Sequence, residues 1–515
     1  MPASALAEDW EMSDSYTVNS DKTVDSITAS NTEKTLTINS PYTLTISQLE
    51  NGGKGSSIAS AIQGTGTLTL DNVTLTVTDN SNSSFDGSII LSGNATVYAE
   101  HLTVFTGVKN ESSSAGRIEV GQYSKFIGGS KNIEQVSQEV YAQLSGSGRI
   151  ELTENAGSTI RLMNANNDFH GFFSLRNGSL DWSDGAADFF SNTETVFTNL
   201  NLYAVSSVAF KSLVLNGLTR IYLRNKSTLA LANDKNLNLS DETHIVGTGF
   251  VDALLTGDGP LLIGNGVNAT AVTLSAIGTH SYDGTITVSA NSSLTIDGEL
   301  IAGSLNVGSS GTVNLNGNAR TEDVTGEGVI NIGSGKTLTL SHEGTGDLGI
   351  PNVFTGVGTL NIDRTEVGKV TFTGDESNVS NVSFIKSQLS SSDKGTNELL
   401  ANAVTANLGK GSVLTVDKDQ NVNTLTLKGG GTLSFDGGTL TADTVDLTSG
   451  KLRFAAKAID TDNFNVFRDS VQTQDLIVTT KAKGITGYAY SVTETSGLDA
   501  SKITQERSEE RRVGK

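Results

Sequence analysis

A glycine-led strand phrase, Gly-x-Gly-x-(apolar)-x-(apolar), recurs along this chain and constrains its fold more than any single residue. It reads GTGTLTL from Gly64, GSGRIEL from Gly146, GTGFVDA from Gly247 and GDGPLLI from Gly257. It returns as GEGVINI from Gly326, GVGTLNI from Gly356 and GGGTLSF from Gly429. The paired glycines are read as structural corners of a repeat: Gly64 and Gly66, Gly146 and Gly148, Gly257 and Gly259, Gly326 and Gly328, Gly356 and Gly358, Gly429 and Gly431. After most corners the apolar residues fall on every second position, the period of a half-buried strand and not of a helix. One such strand cannot bury its apolar face alone, whereas stacked copies can, so repetition predicts a solenoid.

Composition supports a thin sheet-lined coil over a set of compact globular cores. The 515 residues are 36% hydrophobic, 6% aromatic and 18% charged, with 56 glycines and only 4 prolines. Compact cores need more apolar content, and disorder usually brings more proline and charge. The formal net charge of −21 argues against nucleic acid as a partner, since a phosphate backbone repels such a surface. The same charge argues against anionic lipid as a direct partner. There is no cysteine, hence no disulfide framework, thiolate metal site or cysteine nucleophile.

Two stretches serve as an internal comparison, from Gly146 to Trp182 and from Gly257 to Ile296. Both open with the glycine phrase. Ile160 and Leu162 in one match Val272 and Leu274 in the other, and the corner from Phe169 to Gly171 matches that from Tyr282 to Gly284. Phe173 and Leu175 align with Ile286 and Val288. After a turn at Asn177 or Asn291, Leu180 and Trp182 align with Leu294 and Ile296. Partial copies include Val73, Leu75 and Val77, then Leu305 and Val307 leading into Val313 and Leu315. Val413 and Val416 read as a one-residue slip before Leu425, Leu427, Leu433 and Phe435 resume the rhythm.

Strands this short and closely spaced leave no room for crossover helices, so successive coils are expected to lie on one another as parallel ladders. The expected fold is all-β: a right-handed parallel β-helix of roughly 20 rungs, each about 20–25 residues, stacked about 4.8 Å apart. The span 8–455 is assigned to this β-helix, with Tyr16 to Leu36 as cap or first rung. Residues 456–505 are read as irregular terminal rungs or a connector. The A-x-A step Ala5–Leu6–Ala7 resembles the end of a secretory signal, so 1–7 is read as a signal-peptide remnant. The charge-dense segment 506–515, ERSEERRVGK from Glu506, breaks the rhythm and is read as a non-native tail.

The glycine phrases and strand–turn–strand units resemble the passenger region of a bacterial autotransporter (type V secretion). YDGTITVSANSSLTIDG from Tyr282 and FHGFFSLRNGSLDW from Phe169 carry the likeness. The resemblance covers roughly Val18 to Thr493. It implies export, a removable signal and a C-terminal twelve-stranded β-barrel, the only route to a membrane. It implies a cell-surface, outer-membrane or secreted location in a Gram-negative bacterium, and a role in adhesion or autoaggregation. Partners would be surface glycans or proteins, host or bacterial, or a second copy of the chain.

The search for chemistry yields no catalytic, cofactor-binding or metal-ligating assignment, and the chain is read as a non-enzyme without cofactor. The five histidines are His101, His170, His244, His280 and His342, none in a recognisable catalytic phrase. His170 with Asp168 is the most suggestive pair, but His170 aligns with Asp283 in the other copy, which marks a tolerant corner. His280 precedes its corner similarly and reads as a solvent-facing loop residue. The glycines open strands, not helices, which removes the phosphate-loop reading. Asp417 and Asp419 are the carboxylates considered for calcium. Two alternatives stay open: a β-helical polysaccharide lyase or hydrolase, with carboxylates and a basic residue gathered on one face from distant strands, and a ligand-free surface or phage-tail stalk.

Overall fold

The computed structural model describes residues 8–48, 55–78, 84–85, 87–99, 117–129, 137–140, 143–153, 159–162, 167–182, 187–204, 207–232, 235–427, 429–436, 438–447, 451–454, 457–466 and 476–479. The segments 1–7 and 506–515, His101 and most of 456–505 lie outside them. The chain divides into two compact units, Met1–Leu255 and Thr256–Lys515. Both are built from short parallel strands stacked turn on turn, a β-solenoid of about 16 turns, of the same order as the 20 expected. Side-chain bonds between successive turns join residues from 17 to 31 positions apart.

In the first unit an inward column runs Leu44, Leu68, Ile89, Ile118 and Leu144, each the ladder partner of the next. A second runs Leu75, Val97, Phe126, Ile150 and Phe173. All ten are buried. In the second unit Val272, Leu294, Val313, Ile330 and Phe354 form one column. Leu338, Leu360, Val382, Ala406, Leu425 and Val445 form another. These stacks remove aliphatic surface from water at up to about 1.5–3 kcal/mol per side chain. Parallel pairing puts like on like, so the alternation of inward and outward residues carries from one described turn to the next.

The internal comparison holds at residue level. Phe169 and Tyr282 are both fully buried, and Phe173, Leu175, Ile286, Val288, Leu180, Leu294 and Ile296 all point inward. Asn177 and Asn291 turn the chain with φ of 58° and 57°, the left-handed region that asparagine tolerates. The Ile160 and Trp182 side chains are outside the described set.

The glycine corner has a definite physical cause. Gly146 has φ +99°, and a Cβ there would sit 2.2 Å from the Val120 carbonyl oxygen one turn back. Gly64 repeats this with φ +106° and the Ile38 carbonyl oxygen at 2.2 Å. Backbone dihedral and close stacking therefore both demand glycine. Gly429 differs: its φ is +62°, but a Cβ would meet open space.

Three expectations need correction. Two helices interrupt the strands, Ala187–Asn192 and Lys394–Asn402. The first inserts Phe189 and Phe190 among Phe169, Phe173, Phe197 and Phe210, where apolar volume replaces a regular rung. The second buries Leu399 and Leu400. Second, no slip occurs at Val413: Leu414 and Val416 face inward and Val413 outward, with Leu414 stacked between Leu389 and Leu433. Third, His280 is not a loop residue. It lies within the strand Thr279–Val288 and is fully buried.

Candidate functional site

The outward positions form polar columns. In the second unit Asn314 Nδ2 donates to Thr295 Oγ1 at 3.4 Å, and Asn331 Nδ2 to Asn314 Oδ1 at 3.3 Å. Thr355 Oγ1 donates to Asn331 Oδ1 at 3.5 Å. On another face the column Arg320, Thr339, Asn361, Ser383 and Asn407 follows the ladder register and ends on Thr426, which is buried. The first unit carries Thr45, Thr69 and Glu119 in the same register, with the apolar Ile90 between the last two and the column ending on Ser145, which is buried. The same pleat that turns Leu and Ile inward turns the rest of these side chains toward solvent.

A polar groove lies on the second unit. Its volume is about 240 Å³, and it is lined by Asp283, Ile301, Ala302, Gly303, Arg320, Thr321, Glu322, Ser341 and Glu343. Four successive layers supply it. Tyr282 pairs with Ala302, Ala302 with Thr321 and Thr321 with Leu340, so Asp283, Gly303, Glu322 and Ser341 follow directly on one position in four consecutive layers, with Asp283 and Glu322 two layers apart. Thr321 Oγ1 is committed to the Gly303 and Asp323 carbonyl oxygens at 3.2 and 3.1 Å. The Ser341 hydroxyl is buried and has no hydrogen-bond partner. None of these residues was singled out as a site from the sequence. Their signal lies in the register, since no motif links Arg320 and Glu322 to Asp283 or Glu343.

Close by in sequence, Arg364 is 1% exposed. Its Nε donates to the Glu366 carbonyl oxygen at 3.2 Å, and its Nη2 to those of Gly344 and Gly346. Burial lowers its pKa and the Asp347 charge opposes that shift. Its role is to hold the 344–346 backbone.

The described histidines are placed apart from one another. His170 is exposed, and its ring bonds Asp168 Oδ1 at 2.8 Å, so the suggestive pair exists as a surface contact. His244 bonds Glu242. Burial pushes the His280 pKa down, against a hydrogen bond that its ring donates to the Ala276 backbone carbonyl oxygen. Asp417 is engaged by protein donors: Ser390 Oγ at 2.7 Å, Ser391 Oγ at 3.0 Å and the Ser392 backbone N–H at 2.8 Å. Burial alone would raise its pKa, but these hydrogen bonds outweigh it and hold the group at about 2. Asp419 accepts from the Thr439 backbone N–H. Among the described residues, no group of three or more histidine or carboxylate side chains is placed to hold a metal ion. No described helix is long and apolar enough to cross a membrane.

Comparison with protein-family models, curated proteins and solved structures finds no match to this chain.

Proposed function

We propose that this chain is an exported cell-surface structural protein, an autotransporter passenger that acts in adhesion or autoaggregation. The observation that carries the reading is the pairing of dry inward aliphatic columns with outward columns of Thr, Ser and Asn along the same strands. Such a surface offers many weak hydrogen-bond sites at fixed spacing. Each is weak alone, and their sum becomes large once one contact has aligned the rest. The formal charge of −21 keeps so repetitive a β surface dispersed. The experiment is display of the intact gene product on a non-adherent bacterium. Increased clumping or attachment to a glycan-coated surface is expected, and no change in either overturns the proposal.

One observation favours a second reading, an enzyme acting on polysaccharide: Asp283, Glu322, Glu343 and Arg320 line one groove. Carboxylates near a sugar are what acid–base cleavage of a glycan requires. Incubation with a panel of bacterial and plant polysaccharides, read by new reducing ends or unsaturated products, tests it. Product formation that disappears in Glu322→Gln would establish the enzyme, and an unchanged polymer would exclude it for that panel.

A further inference from the structure

We propose that the groove on the second unit binds an amino-sugar residue, a hydroxylated ring bearing a protonated amine. This rests on the adhesin reading for its biological setting, although the chemistry is that of the groove alone. Three carboxylates, Asp283, Glu322 and Glu343, share the lining with one guanidinium, Arg320, so the groove is net negative and favours a cation. A bare cation is not the best match. The metal-ligand geometry is absent among the described residues, and Arg320 opposes a polyvalent amine while offering donors to hydroxyl and ring oxygens.

The Ser341 hydroxyl points to a ligand independently of the charges. It lines the groove, is only 9% exposed and has no hydrogen-bond partner. A buried hydroxyl left unmatched is costly, and a ligand hydroxyl or amine placed against it removes that penalty. Thr321 does not compete, because its hydroxyl already bonds two carbonyl oxygens. Ile301 is 40% exposed on the wall, beside buried Ala302, and gives an apolar surface for the C–H face of a pyranose. The volume of about 240 Å³ holds about eight waters at ~30 Å³ each, the scale of one substituted ring and not of a long chain. An acidic sugar is repelled by the same carboxylates.

The test is calorimetric titration of the full chain at low salt and pH 6 with the trimer of glucosamine. Saturable one-to-one binding is expected, weakened about tenfold by Glu322→Gln, where a charge-assisted bond is lost. Ser341→Ala should weaken it several-fold, with the circular dichroism spectrum confirming that both variants are folded. Equal binding of the N-acetylated trimer overturns recognition of the amine. Equal binding of spermidine reduces the groove to general cation attraction and overturns the sugar assignment, as does the absence of saturable heat. If displayed cells fail to adhere while the trimer still binds, the adhesin reading falls and the site stands.

Discussion

At the residue scale, corner glycines and buried polar groups make opposite predictions. Gly146→Ala forces a side chain into a left-handed backbone and against the Val120 carbonyl oxygen. A loss of about 2–4 kcal/mol is expected from strain and overpacking together. Gly335 is the control: its φ is +67°, but a Cβ there would meet nothing within 4 Å. Gly335→Ala should cost only about 1 kcal/mol, the backbone part alone. Thermal melts of the two variants separate stacking from dihedral strain. Tyr282 goes the other way. Its hydroxyl is buried without a partner, and burial with the nearby Asp258 charge raises its pKa. Phe169 fills the equivalent corner without a hydroxyl. Tyr282→Phe should therefore leave the melting temperature unchanged or raise it, and a clear fall would disprove the orphaned hydroxyl.

Asp417 supplies the pH dependence at this scale. Its folded pKa of about 2 lies below the ordinary 3.8, so its contribution is full above pH 4. It is lost as the pH falls from about 4 through 2, where the folded state must also take up the proton. The group is partly solvated, so the size is about 1–2 kcal/mol after screening. Melting temperature against pH, compared with Asp417→Asn, checks this: the variant should show a flatter acid limb over that window.

At the element scale, inward and outward positions of one strand should differ sharply. Leu360 is fully buried between Leu338 and Val382, and Leu360→Ala should cost about 2–5 kcal/mol. Asn361, next along the strand and outward, should tolerate alanine within about 0.5 kcal/mol. Chemical denaturation of both variants decides whether burial alternates as described. This alternation was legible in the sequence because period two survives in short strands of Leu, Ile, Val and Thr. The helix Lys394–Asn402 was not, although the run Asn397, Glu398, Leu399, Leu400 and Ala401 contains strong helix formers in a chain otherwise rich in Ser, Thr and Gly. Val413 misled because a valine on the wet face looks like a core residue until its ladder partners are known. His280 misled because a corner in sequence is a continuous strand in space. The groove was illegible for a related reason. Asp283, Glu322 and Ser341 come from different turns; the turns that align them are 20, 19 and 19 residues long, but the chain as a whole keeps no fixed repeat, with 24 residues from Leu44 to Leu68.

At the scale of the whole molecule, charge governs association between copies. The formal net charge of −21 makes copies repel at pH 7, although their polar columns offer self-complementary hydrogen bonds. Raising ionic strength from ~0.01 to ~0.15 M shortens the screening length from about 30 to about 8 Å. Particle size by light scattering should therefore grow with salt at pH 7. It should grow more strongly as the pH approaches the isoelectric point near 4.6, where repulsion vanishes. That association is expected above the range in which Asp417 takes up its proton, so the two acid effects come in a fixed order: scattering rises first with the circular dichroism unchanged, and loss of structure follows only below pH 4. If the particle size stays flat through pH 4.6 while structure persists, the polar columns do not recognise one another, and adhesion would have to act on a different surface.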